Sequence, residues 1–252
     1  MSSFYWYLKD CDLFSYLTDQ DIHSLEAVSK ARDYRRGEPV YLPNESADAV
    51  LLVVKGRVKL CHVTPEGKQS ILNIIDQGEL FGELSLFQED DRKEFAEAIE
   101  SSTVVMIPKS AMLALMARHP NLNVGITKLI GSRRQRIERR LRNLLFRSNR
   151  ERVVHLLIEM SEKYGQRTEQ GLELCIKLSH QEMASIIGST RETVTVMLGQ
   201  LQSEGLIKIA RRRITIIDLN RLSQEVSEPV KEVENRVTNQ DALQPRMENT
   251  YN

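Results

Sequence analysis

The sequence of 252 residues has no long hydrophobic run. A membrane-spanning helix needs about 18 consecutive apolar residues, and a secretory signal needs a shorter apolar stretch behind basic residues. Neither pattern occurs, so we expect a cytoplasmic protein that has no membrane partner.

Metal-binding and catalytic patterns are also missing. The three cysteines, Cys11, Cys61 and Cys175, are scattered without CxxC spacing and are too few for a four-thiolate cluster. The five histidines are equally scattered, and there is no Walker loop, GxSxG elbow or HExxH motif. We therefore expect no metal site, no haem and no iron–sulfur cluster, and we expect that the protein is not an enzyme.

The formal net charge is zero, but the charges are unevenly distributed. Residues 1–118 carry 13 Lys and Arg against 19 Asp and Glu, whereas residues 119–226 carry 19 against 11. Residues 227–252 carry 3 against 5. A basic region of this size inside a neutral chain favours a nucleic-acid partner for residues 119–226.

Short β-type runs dominate the first part of the chain. Residues 10–34 have the apolar spacing of one or two short helices, and turn signals then separate a series of apolar runs. Short, evenly punctuated strands are typical of a small antiparallel barrel or roll, so we predict a β-roll domain over 1–118, ending in a helix over 109–117. The predicted strands are 39–42, 50–54, 58–63, 71–75 and 104–107.

A long helix is predicted over 120–147, opened by Pro120. Apolar residues recur along it at spacings of three, four or seven, which is the pattern of a two-helix seam. The simple alternative is that this stripe packs against its own roll. Because a long helix between two domains commonly dimerises, we predict a dimerisation segment over 119–148. Its apolar seam consists of Ile126, Ile130, Ile137, Leu141 and Leu144.

The most informative stretch is 179–203, SHQEMASIIGSTRETVTVMLGQLQS. Ser179 with Glu182, and Ser189 with Glu192, each fit the Ser-x-x-Glu box that begins a helix. With a turn at Gly188, they predict two helices that pack on each other. The first turns of the second helix would project Arg191, Glu192 and Thr195 outward, as in the helix-turn-helix proteins that read the DNA major groove.

The flanking segments complete a winged helix-turn-helix domain over 149–226. A helix is predicted over 150–162 and a polar loop over 164–171. Residues 206–217 predict a β-hairpin, or wing, with a basic tip that could contact phosphates without reading sequence. The tip arginines are Arg211, Arg212 and Arg213. Residues 227–252 are polar and lack periodicity, which predicts disorder. The fold class is therefore α+β.

Two motifs carry a resemblance to a known family. Residues 78–87, GELFGELSLF, which we call the cassette, look like a phosphate-binding cassette, and residues 188–198, GSTRETVTVML, look like a recognition helix. Over about residues 10–225 the chain resembles the superfamily of the cyclic AMP receptor protein and the fumarate–nitrate regulator. The resemblance implies a jelly-roll-type, cyclic-nucleotide-binding-like domain and a homodimeric transcription regulator, typically an activator.

The resemblance also implies how DNA is read. Arg191 would bind guanine and Glu192 would accept from cytosine, while Ser179, His180 and Thr190 would position the DNA backbone. The cyclic-nucleotide regulators have a second base-reading Arg four residues after this Glu. Here that residue is Val196, which cannot bind guanine, so we predict an altered or relaxed base preference at that position.

The resemblance leaves the effector open between a cyclic nucleotide, a dicarboxylate, and another ligand or none. Backbone N–H groups of Gly82, Glu83 and Leu84 could hold an anionic oxygen, and Arg92 could pair with a phosphate or carboxylate. Cyclic AMP would also require, by resemblance, a Ser after this Arg and a Thr-Ser pair on the long helix. Lys93 and the pair Ile137-Glu138 stand there instead.

A second resemblance, through GSTR-x-TVT, is to the nitrogen-control branch, whose members sense 2-oxoglutarate. Its ligand-binding residues would fall on Arg92, Arg133 and Glu138, although Glu83 would repel a dianion if it faced the pocket. The alternative is that Arg92 and Glu138 form salt bridges in a roll without effector. By family position, loops 64–68 and 163–170 are candidate contacts for RNA polymerase. The rival class, an enzyme or sensor module that does not bind DNA, lacks a catalytic constellation.

Overall fold

The computed structural model describes residues 4–88, 91–210 and 213–226, in two compact units that divide between Leu145 and Phe146. The predictions for Arg211, Arg212 and residues 227–252 lie outside the described residues. Within the described ranges, no helix combines the length and apolar character required to cross a membrane.

The first unit contains two antiparallel four-stranded sheets, with the orders β1-β8-β3-β6 and β2-β7-β4-β5. All five predicted strands are present, and β1, β6 and β7 were not predicted. Residues 30–34, predicted as helix, form β1, because they pair along β8 from Lys30 opposite Met106 to Tyr34 opposite Ser102. The strands are β1 (Lys30–Tyr34), β2 (Pro39–Tyr41), β3 (Ala49–Lys55), β4 (Val58–Val63), β5 (Gln69–Ile75), β6 (Leu80–Phe81), β7 (Phe95–Ala98) and β8 (Ser102–Pro108).

The central strand β3 explains why the unit has two cores. Successive side chains of a strand point to opposite faces, and the run from Val50 to Val54 is apolar at every position. Leu51 and Val53 join the core between the sheets with Phe81. The alternate residues, 50, 52 and 54, join a second core under the helices. A strand buried on both faces therefore reads as a continuous apolar run.

Four helices cover that second core: α1 (Tyr5–Lys9), α2 (Asp19–Val28), α3 (Lys109–Arg118) and the start of α4 (Pro120–Phe146). Thr18 and Asp21 form a capping box at α2. Asp21 also lies 3.0 Å from Arg118 and 3.2 Å from His119, which ties α2 to the end of α3.

The predicted seam of α4 divides into two parts. Ile126 is fully buried in the core of its own unit and Ile130 packs partly against it, so Ile126 cannot belong to a dimer interface. The prediction was wrong there because the helices and the roll already cover the first half of α4. By contrast, Ile137, Leu141 and Leu144 remain 45–54% exposed, and we call these three the exposed seam.

The second unit packs four helices on one antiparallel sheet of order β11-β12-β10-β9. The predicted loop 164–171 is wrong in part, because residues 165–168 form a strand whose partner begins at Gly171. The predicted wing is present as β11 and β12, and Leu172 opposite Ile216 joins it to this hairpin. The elements are α5 (Asn149–Tyr164), β9 (Gly165–Thr168), β10 (Gly171–Leu174), α6 (His180–Ile187), α7 (Arg191–Ser203), β11 (Ile207–Ala210), β12 (Arg213–Ile216) and α8 (Leu219–Gln224).

Candidate functional site

The first helix of the predicted pair begins and ends at the residues that the sequence indicated. Ser179 caps α6: its backbone N–H donates to the Glu182 carboxylate at 2.7 Å, and the Glu182 N–H donates to the Ser179 hydroxyl at 3.2 Å. Gly188 ends the helix in the left-handed region, with φ 64°. A side chain there would be strained, so glycine permits the sharp turn into α7.

The second helix begins differently from the prediction. Thr190, not Ser189, caps α7, because its Oγ1 accepts from the backbone N–H of Thr193 at 3.2 Å. The Ser189 hydroxyl instead donates to the Asn149 side chain at 3.1 Å. The predicted box of Ser189 with Glu192 is therefore wrong, since the cap lies one residue later.

One face of α7 is buried and the other is open. Val194, Leu198 and Leu201 are fully buried. Arg191 and Glu192 are exposed, and neither forms an ion pair with any other described residue. The open face consists of Arg191, Glu192, Thr195, Val196, Gly199 and Gln200, with Val196 54% exposed.

His180 and Thr195 join the two helices on the open side. The Thr195 hydroxyl donates to the Arg191 carbonyl at 2.8 Å, and it lies 2.8 Å from Nδ1 of His180. The hydroxyl carries a single proton, so the tautomer of His180 decides which of Oγ1 and Nδ1 donates in this contact. This contact joins the start of α6 to the first turn of α7.

The wing carries one described arginine of the predicted tip. Arg213 is 56% exposed and pairs with Glu173 on the neighbouring strand at 2.8 Å. Exposed ion pairs are weak, so Arg213 can still exchange this partner for a phosphate.

The cassette lies against α4 within the first unit. Gly82 has φ 70°, and a short 3-10 turn follows over Glu83–Leu86. Glu83 is buried and forms an ion pair with Arg133, which also donates to the Leu80 carbonyl at 2.5 Å. A carboxylate thus already occupies the Arg133 guanidinium.

Arg92 is buried and engaged by the backbone. It donates to the Gly82 carbonyl at 3.2 Å and to the carbonyl of Ala49, and its guanidinium lies 4.7 Å from the Tyr41 ring centroid. Tyr41 donates to Glu94 at 2.8 Å, and burial raises the pKa of its hydroxyl above the usual range. A small cavity of about 50 Å³, partly open to solvent, adjoins Arg92. Its lining is Ala47, Gly82, Leu84, Ser85, Gln88, Asp91, Arg92, Lys93 and Glu94.

The predicted effector residues do not all meet. Glu138 pairs with Arg134 at 2.8 Å on the exposed side of α4, and Leu84 is 49% exposed. Glu138 therefore does not join Arg92 and Arg133, and the predicted three-residue set is wrong in this respect. The i,i+4 spacing of Arg134 and Glu138 was a sequence signal for this pairing.

Sequence reasoning missed two further arginines of α4. Arg136 donates to the Asn73 side chain, and Arg140 donates to the carbonyls of Ile71 at 3.0 Å and Leu72 at 2.7 Å. With Arg133, they recur at spacings of three and four, which places them on one helix face. This recurrence was the available signal, although the many other arginines nearby obscured it.

Taken with the long helix and the roll, the open face of α7 and the wing define a DNA-binding transcription regulator. Residues 31–119 match the model of the cyclic nucleotide-binding domain, and residues 151–225 match that of the Crp-like helix-turn-helix domain. The chain belongs to the CRP/FNR family of transcription regulators, a family of regulators and not of enzymes.

Two of the similar proteins carry different functional names. The chain is 33% identical over 196 residues, 77% of its length and 88% of the relative, to the global nitrogen regulator of Synechococcus elongatus. It is 29% identical over 202 residues, 80% and 90% of the two chains, to the cyclic AMP receptor protein of Thermus thermophilus.

Solved structures agree with this fold. A CRP-family transcriptional regulator from Thermus thermophilus has TM-score 0.68 and 25% identity, covering 79% of this chain and 98% of that one. The c-di-GMP-responsive global regulator of Xanthomonas campestris has TM-score 0.71 and 23% identity, and the match covers 80% of this chain and 100% of that one. The fold predicted from the sequence is thereby confirmed.

Proposed function

We propose that the chain binds a palindromic double-stranded DNA site as a homodimer and regulates transcription from it. The open face of α7 carries this proposal, because two oppositely charged side chains, unpaired among the described residues, stand on the first turn of a helix whose other face is buried. Arg191 would be bidentate to guanine, and Glu192 would accept from the cytosine amino group.

The remaining roles follow from position around α7. Ser179, His180 and Thr190 would contact the DNA backbone at the amino ends of α6 and α7, and Thr195 would contact bases or backbone beside them. Arg213, with Arg211 and Arg212 of the wing tip, would contact phosphates. These contacts would orient the recognition helix without reading sequence.

Dimerisation is proposed through the exposed seam alone. Ile137, Leu141 and Leu144 recur at spacings of four and three and are about half exposed, which is unfavourable unless a second apolar face covers them. A symmetric dimer would place two recognition helices on half-sites about 34–36 Å apart. RNA polymerase is a further proposed partner, by family position, through residues 64–68 and 163–170.

The geometry of the cassette favours a regulator that requires no anionic effector. The Glu83 carboxylate occupies Arg133, and backbone carbonyls occupy Arg92. A dicarboxylate would have to displace Glu83 and then tolerate its charge. The second candidate is control by a small anionic effector, resembling 2-oxoglutarate or a cyclic nucleotide, which the nitrogen-regulator and cyclic AMP relatives support.

Fluorescence anisotropy on a labelled palindrome, with TGT and ACA half-sites about ten base pairs apart, tests both the DNA-binding function and its dependence on an effector. Arg191→Ala should weaken specific binding by about 1–3 kcal/mol per half-site and relax the base preference at one position of the site. Arg212→Ala should instead weaken binding to DNA of every sequence by the same amount. Retention of the base preference in Arg191→Ala would contradict the placement of α7. Equal binding without effector, with 2-oxoglutarate and with cyclic AMP supports the effector-independent regulator, and tightening by either ligand supports the second candidate.

A further inference from the structure

The first turn of α5 contacts both ends of the recognition helix. Arg150 reaches Glu204, which caps the carboxyl end of α7, while Asn149 and Arg152 reach the turn that leads into its amino end. None of these three residues lies on α7. The sequence offered no sign of this, since the partners are 35 to 54 residues apart.

Arg150 is shared by two carboxylates. Its Nη1 and Nη2 donate to the two oxygens of Glu204 at 2.9 and 2.6 Å, and its Nε and Nη2 donate to the two oxygens of Glu225 at 3.0 and 2.8 Å. Glu225 caps α8, so one guanidinium joins three helices. Hydrogen bonding from Arg150 lowers the pKa of Glu204 below its ordinary value.

At the other end, Arg152 holds the turn through backbone atoms. Its Nη1 donates to the Ile187 carbonyl at 2.9 Å and to the Gly188 carbonyl at 3.3 Å. Its Nη2 donates at 2.6 Å to the Asn149 side-chain oxygen, which also accepts from Ser189. These groups immediately precede the Thr190 cap of α7.

The apolar contacts between α5 and α7 cannot fix the setting of α7 as well as these bonds do. Hydrophobic burial is non-directional, so it opposes separation of two helices more than sliding or rotation. A bidentate guanidinium–carboxylate pair has a defined plane and direction. Base reading depends on such geometry, because a bidentate contact to guanine tolerates little displacement.

We propose that Arg150 is a positioning residue for DNA recognition: through Glu204, it fixes the axial and rotational setting of α7 and so determines base discrimination from outside the DNA-reading face. Arg152 and Asn149 hold the opposite end of the same helix. This inference rests on the proposed insertion of α7 into the major groove.

The two carboxylates provide a matched test on the full chain. Glu204→Gln and Glu225→Gln each remove one negative charge and one partner from the same guanidinium, but only Glu204 belongs to the end of α7. The readout is the ratio of affinities for the palindrome and for a variant with the guanine read by Arg191 replaced. We expect Glu204→Gln to lower this ratio about tenfold and Glu225→Gln to leave it unchanged.

Two further measurements separate positioning from folding and from failure of the proposed function. Arg150→Lys keeps the charge but not the two bidentate pairs, so it should lower the ratio as Glu204→Gln does, while thermal unfolding shows that the variants are folded. Equal ratios in Glu204→Gln and Glu225→Gln would overturn the inference. If Arg191→Ala abolishes the guanine preference and Glu204→Gln retains it, only the positioning role fails; if Arg191→Ala retains it, the placement of α7 fails first.

Discussion

Glu83 and Arg133, 50 residues apart in the sequence, form a buried ion pair that joins the cassette to α4. Their side chains are only 6% and 13% exposed. A carboxylate of the chain itself thus lies where the nitrogen-control resemblance would place a ligand carboxylate. The pair adds to the apolar packing of Leu122 and Ile126, which also holds the first part of the long helix in the core of this unit.

Removing one partner of this pair should destabilise the first unit strongly. Glu83→Gln leaves the Arg133 charge buried without its counter-charge, and we expect a loss of about 3–5 kcal/mol in the free energy of unfolding. Glu138→Gln is the control on the same helix, because its pair with Arg134 is exposed and should contribute less than about 1 kcal/mol. Urea denaturation compares the two, and similar losses would contradict a structural role for the buried pair.

The two parts of the predicted α4 seam should respond differently to truncation. Ile126→Ala removes a fully buried side chain and should lower the free energy of unfolding by about 2–5 kcal/mol. Leu141→Ala, at a side chain 53% exposed, should instead weaken self-association with little effect on the unit's own stability. Sedimentation equilibrium measures the second effect. A dimer unaffected by Leu141→Ala would exclude the exposed seam as the interface.

This division also shows what periodicity can and cannot predict. Ile126 and Ile137 are 11 residues apart and differ by only about 20° around the helix axis at 3.6 residues per turn. Their spacing therefore predicts one face correctly. It cannot tell which neighbour covers each part, because that depends on how far the roll extends along the helix.

The same reasoning separates the correct from the missed parts of the candidate site. The turn at Gly188 and the open face of α7 were predictable, since local capping and an apolar stripe determine both. The Glu83–Arg133 pair and the Arg150 contacts were not, because a sequence of many arginines gives no measure of distance between segments 50 or more residues apart. Strand β1 was missed because four of its five residues are exposed and carry no apolar run.

The cysteines should differ sharply in reactivity. Cys11 and Cys61 are buried, and burial raises the pKa of the Cys11 thiol to about 11, so little thiolate forms at pH 8. Cys175 is exposed. A disulfide reagent at pH 8 should modify one thiol in the native protein and three after unfolding. Cys175→Ser is the control and should abolish the fast reaction; rapid modification of a second thiol would show that the roll opens.

Val196 offers the sharpest test of base preference. The side chain is 54% exposed on the open face of α7, five residues after Arg191, where an isopropyl group can touch a thymine methyl but cannot donate to guanine. Val196→Arg should therefore create a guanine preference worth about 1–3 kcal/mol per half-site, whereas Val196→Lys adds the same charge without bidentate geometry. Base-resolved selection on randomised half-sites measures both. If the unmodified protein already requires guanine at the base facing Val196, the predicted change in base preference is wrong. If both variants only tighten binding to all sequences, the side chain at position 196 faces phosphate and not a base.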